Sequence, residues 1–132
     1  MKKYLTPSDR YYTKTHEWVM IKNDVALVGI TDYAQDMLHD IIYCSLPSVN
    51  TIVKAGDVIA EIESVKSVAE VYAPVSGVII EVNVNLEKSP ELINKSPYDE
   101  GWIVKIKMNK PEELGNLLNS EEYSELIRSL IE

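Results

Sequence analysis

Between residues 18 and 108 the chain breaks into short alternating or β-branched runs, each closed by turn-forming residues. That rhythm suits strands and leaves no room for a long helix. Strands are expected over 18–22, 25–30, 41–46, 58–63, 68–73, 78–84 and 101–108. The breaks carry turn chemistry of their own. Asn23-Asp24 fits a two-residue hairpin loop, Gly56 supplies positive φ within Lys54-Ala55-Gly56-Asp57, and Pro74 to Gly77 stops one run before the next. In the last run Trp102, Val104, Ile106 and Met108 alternate with Ile103, Lys105 and Lys107, which predicts one buried and one solvated face.

A chain of 132 residues has room for one domain of this kind, spanning 1–132, and 45% hydrophobic with 26% charged residues is a globular balance. A weak internal echo supports a mainly-β core. Asp57-Val58-Ile59-Ala60-Glu61-Ile62 recurs as Gly77-Val78-Ile79-Ile80-Glu81-Val82. Two copies are too few for a solenoid and suit two halves of a flattened barrel with a hairpin protruding between them.

Helices should be few. Thr31 can cap a short one reaching about His39, with Ala34, Met37 and Leu38 on one side, and Ser89-Pro90-Glu91 reads as a cap, a first-turn proline and a dipole-favoured acid. The clearest is C-terminal, about 120–131, where Tyr123, Leu126, Ile127, Leu130 and Ile131 share a face behind a cap at Asn119 or Ser120. That amphipathic helix should dock on the sheet.

Charge and cysteine usage exclude several functions. A formal charge of -8 has the wrong sign for phosphate backbones or anionic lipid, so nucleic acid and membrane surfaces are not expected partners. No apolar run approaches the roughly 18 residues of a membrane span, and the start MKKYLTPSDR has no hydrophobic segment behind its basic residues. A monomer in the bacterial cytoplasm is expected, although a mature mitochondrial form would begin alike. Cys44 stands alone in an apolar run and reads as a buried, inert thiol, while His16 and His39 are too few for a zinc site. No nucleophile with its base stands out, so the chain is not expected to be an enzyme. Trp18 and Trp102 are expected in the core, and Glu112-Glu113, Glu121-Glu122 and Glu125 on a solvated helical face.

Between the runs 58–63 and 68–73, Ser64-Val65-Lys66-Ser67 places Val65 and Lys66 at the tip of the hairpin. An exposed tip lysine is a solvated charge or an acylation target, a primary amine on a long stem held clear of the body. Spacing alone leaves both open.

The wider set of motifs is more specific. Thr15-His16-Glu17-Trp18-Val19, Gly29 to Gln35, Glu63-Ser64-Val65-Lys66-Ser67, Ala73-Pro74-Val75-Ser76-Gly77 and Ser89 to Asn94 through Gly101-Trp102 together resemble the H protein of the glycine cleavage system, in order and over about residues 11–128. The resemblance implies a barrel-sandwich hybrid of the lipoyl/biotinyl-domain kind, with lipoate joined to Lys66. It further implies that the arm takes an aminomethyl group from a pyridoxal-phosphate glycine decarboxylase to a tetrahydrofolate-dependent aminomethyltransferase, and that dihydrolipoyl dehydrogenase reoxidises it. A lipoate ligase or an octanoyl or lipoyl transferase would load the lysine.

Glu63, Glu70 and Gly77 match positions associated with recognition by the lipoylating enzyme or with packing under the tip; a solvated strand face and a turn glycine are the plainer readings. Thr15, His16 and Glu17 match the cleft in which the loaded arm rests, and a structural role for His16 stays open beside that one. Glu17 and Glu70 are the acids that could hold the arm's ammonium. His39 and Asn50 stand where the family usually has glycine, and Cys44-Ser45 replaces a Val-Glu type pair. Asn tolerates a left-handed backbone, so Asn50 should preserve its turn. A biotin carrier would flank its lysine with methionines where Val65 and Ser67 stand, and service as a lipoyl donor to other enzymes is a further alternative.

Overall fold

The computed structural model describes residues 3–131. Strands β1 (Tyr11–Tyr12), β2 (Glu17–Lys22), β3 (Val25–Ile30), β4 (Ile41–Ser45), β5 (Ile52–Val53), β6 (Val58–Ser64), β7 (Val68–Tyr72), β8 (Gly77–Val82) and β9 (Val104–Met108) form two sheets. One is six-stranded in the order β1-β2-β3-β9-β8-β5, the other three-stranded in the order β4-β6-β7, and all the pairings are antiparallel. The two echo segments fall one in each sheet, as β6 and β8. Ile62, Val71 and Ala60 of the small sheet share a buried core with Val19, Val28, Ile79 and Ile106 of the large one. The sheets face one another as a sandwich without closing into a barrel.

The expected turns are present. Asn23 at φ 58° closes β2–β3, Gly56 at φ 95° precedes β6, and Asn50 at φ 76° adopts the left-handed backbone its side chain tolerates.

Helix α1 (Asp32–Leu38) begins at Thr31, whose hydroxyl accepts from Ala34 N at 3.2 Å. Its Met37 is 51% exposed and so not the packing residue the sequence suggests. Helix α4 (Ser120–Ile131) is capped reciprocally: Asn119 Oδ1 accepts from Glu122 N at 2.8 Å, and Glu122 Oε1 accepts from Asn119 N at 2.9 Å. Tyr123 and Ile127 dock it against Tyr12 and Trp18 in a second core cluster, while Leu130 and Ile131 stay exposed. Each such fully buried side chain contributes roughly 2 kcal/mol.

Several boundaries move. Strand β8 ends at Val82, two residues early, because the Asn83 amide donates to Glu100 O at 2.8 Å and Trp102 O at 2.7 Å and turns the chain into α2 (Asn85–Lys88). Ser89 closes α2 instead of opening the next helix, and α3 (Leu92–Lys95) starts without a side-chain cap. Strand β9 starts at Val104, so Ile103, expected on the solvated face, is buried at the approach to the strand, with its N–H donating to Val28 O at 2.8 Å. Trp102 is half-buried rather than core, beneath Lys105 at 5.4 Å from its ring.

Candidate functional site

The hairpin between β6 and β7 is in register at Glu63 opposite Val68, which leaves a loop closed by Ser64 N donating to Ser67 O at 2.8 Å. Ser64 organises that loop. Its largely buried hydroxyl accepts from Lys66 N at 3.2 Å and Ser67 N at 3.0 Å. Val65 N donates to Asp40 O at 3.1 Å, tying the tip to the chain entering β4. The Lys66 side chain projects exposed from this braced turn, and its Nζ lies 3.4 Å from His39 Nε2. Glu63 is half-buried beside it, and Glu70, two residues into the far side of β7's start, is exposed and accepts from the Tyr72 hydroxyl at 3.2 Å.

A cleft of about 320 Å³ opens between α1, the start of β2 and the face of the small sheet. Ile30, Leu38, Ile62 and Val71 make it apolar, and Thr15, His16, Glu17 and Glu70, grouped by the family resemblance, bring its polar groups. Glu17 is only 1% exposed. Its Oε1 accepts from Thr13 Oγ1 at 2.5 Å and Thr15 Oγ1 at 2.6 Å, and its Oε2 accepts from Tyr72 N at 3.2 Å. Burial raises its carboxyl above the ordinary range and these hydrogen bonds oppose the rise. His16, at φ 72°, sets Nδ1 2.9 Å from the Tyr123 hydroxyl, and burial lowers its pKa.

Gly77 is not at this site. It is buried at the start of β8 in the other sheet, where a Cβ would lie 2.0 Å from the Lys107 carbonyl oxygen. Cys44 is buried, with its thiol pushed up to about 12 by desolvation. Among the described residues no group of three or more His, Cys, Asp or Glu is arranged to hold a metal, and no helix is long and apolar enough to cross a membrane.

Asn94 shapes the site and escapes a reading of the sequence, while Glu113, expected on a solvated helical face, is half-buried and holds a turn away from the site. Asn94 links α3 to β4 and α1: its Oδ1 accepts from Ile41 N at 2.9 Å, and its amide donates to Gln35 Oε1 and His39 O, both at 2.9 Å. Glu113 grips the turn before β8, with Oε1 accepting from Ser76 N at 2.7 Å and Oε2 from Ser76 Oγ at 2.8 Å. Neither has a local signal, because each partner is distant in the chain.

Comparison with known proteins places this arrangement. Residues 10–130 match the family model described as glycine cleavage H-protein. Over 123 residues the chain is 52% identical to the glycine cleavage system H protein of Thermus thermophilus, covering 93% of this chain and 96% of the relative. The Thermotoga maritima protein of the same name is 54% identical over 114 residues, 86% and 92% of the two chains. A crystal structure of a glycine cleavage system H protein from Mycobacterium marinum superposes with a TM-score of 0.84 at 37% identity, covering 90% of this chain and 96% of that one. By sequence and by fold, this chain belongs to the glycine cleavage H-protein family.

Proposed function

We propose that the protein is a lipoyl carrier of the glycine cleavage system, with lipoate in amide linkage to Lys66, and that it performs no catalysis of its own. The observation that supports this reading is the braced tip. Ser64 and Asp40 hold the loop backbone through five hydrogen bonds to N–H groups and Ser67 O, while the Lys66 amine is left exposed for a modifying enzyme. The residues present fit the group: an accessible primary amine for the linkage, and beside the hairpin an apolar cleft with acids at its margin for the arm's head.

The lipoyl dithiolane, when attached, supplies a disulfide able to take up an aminomethyl group and pass between glycine decarboxylase, the aminomethyltransferase and dihydrolipoyl dehydrogenase. The chain's own residues do the holding. Ile30, Leu38 and Val71 offer apolar walls that exclude water from the cleft. Glu70 is free of burial cost and is the acid best placed to meet an incoming cation, whereas Glu17 already accepts three hydrogen bonds and mainly braces the cleft wall. Glu63, half-buried next to the tip, is the recognition residue for a lipoate ligase or an octanoyl or lipoyl transferase. Gly77 acts on that recognition only through the fold. A monomer working in the cytoplasm completes the reading.

Incubation with lipoate, ATP and a lipoate ligase, followed by intact mass and peptide mapping, tests it. One lipoyl increment, on Lys66 and absent from Lys66→Arg, is the expected result; modification of another lysine overturns the assignment.

A further inference from the structure

His39 ends α1 at φ 65°, ψ −153°, a backbone conformation that glycine adopts freely and a side chain resists. Its surroundings impose it. His39 N donates to Gln35 O at 3.1 Å and Asp36 O at 3.3 Å, and His39 O accepts from Asn94 Nδ2. The following carbonyl, Asp40 O, accepts from Val65 N in the hairpin tip. A glycine would make all of these backbone bonds without strain, so the fold by itself gives no reason for an imidazole here. What the side chain adds is a ring nitrogen 3.4 Å from the Lys66 amine.

We infer that His39 is the proton acceptor for the Lys66 amine as it is acylated. The inference rests on Lys66 being the acylated residue. An alkylammonium must first shed one proton to water before it attacks, and the attacking nitrogen carries a second proton that must leave before the adduct can collapse. In the step, the nitrogen lone pair of Lys66 forms a bond to the carbonyl carbon of an activated acyl donor such as a thioester. The nitrogen's proton passes to His39 Nε2, the C–S bond breaks with its electron pair on sulfur, and the protonated imidazole returns its proton to the thiolate or to water. Imidazole is the side chain suited to exchanging a proton near neutral pH. The contact with Val65 N keeps the tip and His39 together, so the modifying enzyme meets an amine already paired with its base.

The test uses the full chain without lipoate, as parent, His39→Gly and His39→Gln. Each is treated with an acetyl thioester, and acetylation at Lys66 is followed by peptide mapping against Lys54, an exposed loop lysine on the same molecule. The Lys66-to-Lys54 rate ratio should fall roughly tenfold in both variants. A parent-like ratio in either overturns proton acceptance, since glutamine can hold the amine by a hydrogen bond but cannot take its proton. Glycine suits the backbone, so His39→Gly should fold, and circular dichroism checks that it does. A parallel reaction with lipoate and its ligase separates the two readings. Equal lipoylation of Lys66 in all three proteins overturns the role of His39 alone, and no lipoylation of the parent overturns the carrier reading while the thioester ratio still decides His39.

Discussion

Nδ1 of His16 lies 2.9 Å from the hydroxyl of Tyr123, a contact that spans 107 residues and joins the cleft beside α1 to the C-terminal helix. The same hydroxyl is 2.6 Å from Thr31 Oγ1, which also accepts from Ala34 N to cap α1. One phenol thus ties together the cleft histidine, the helix that forms one cleft wall and α4, with its ring stacked on Tyr12 at a centroid distance of 4.6 Å.

Tyr123→Phe keeps the stacking and removes the hydroxyl, leaving His16 Nδ1 without its partner. Its expected cost is about 1–2 kcal/mol of unfolding free energy, the usual effect of stranding buried polar groups. Urea unfolding measures it, and a variant as stable as the parent would refute the structural importance of the link.

His16 and Glu17 should give opposite pH dependences. Burial lowers the pKa of His16, so below about 6.5 the unfolded chain takes up a proton that the folded one resists, and stability falls as pH drops through that value. Burial raises the Glu17 carboxyl, so the folded chain keeps a proton that the unfolded one releases above about 4.3. There stability falls as pH rises toward the folded value. In urea titrations at successive pH values, any deficit of His16→Gln relative to the parent should shrink on acidification, and that of Glu17→Gln should shrink on moving upward from pH 4. Parallel pH curves for parent and variants would show that neither group is linked to folding.

Gly77→Ala separates folding from recognition. The added Cβ meets the Lys107 carbonyl oxygen and Ile106 Cγ2, at 2.0 and 2.9 Å, and must push β8 from β9. A loss of about 3 kcal/mol or more is expected, with the lipoylation rate per folded molecule unchanged. Thermal melts and ligase kinetics on the same sample check both halves, and a slowed rate in a protein of normal stability would contradict this account.

His39→Gly should raise stability by about 1 kcal/mol, the lower end of what a side chain in that backbone region costs, while lowering Lys66 reactivity. Chemical denaturation reads the first effect. A destabilised His39→Gly would mean that the ring packs where the structure shows it exposed.

Local sequence determined the hairpins and most strand positions, because strand patterns and turn residues act over a few neighbouring positions. Val25–Ile30 begins and ends where its alternation says it should, and Lys66 sits at the tip because Val58–Ser64 and Val68–Tyr72 leave only three residues between them. Thr31 and Asn119 announced their helices for the same reason, since a cap bonds to N–H groups two or three residues away. Tertiary structure alone decided where long-range hydrogen bonds overrode the local pattern. Asn83 stopped β8 early through Glu100 and Trp102, and Asn94 gathered α1, α3 and β4 at the base of the tip. The two-residue strands β1 and β5 carry no period to read. The cleft likewise forms only when Thr15, His16 and Glu17 from one end of β2 face Glu70 and Val71 from β7. Glu17 marks the division most sharply: its identity is a surface residue's, and only the packing of Thr13, Thr15 and the Tyr72 amide around it makes a buried carboxylate tolerable.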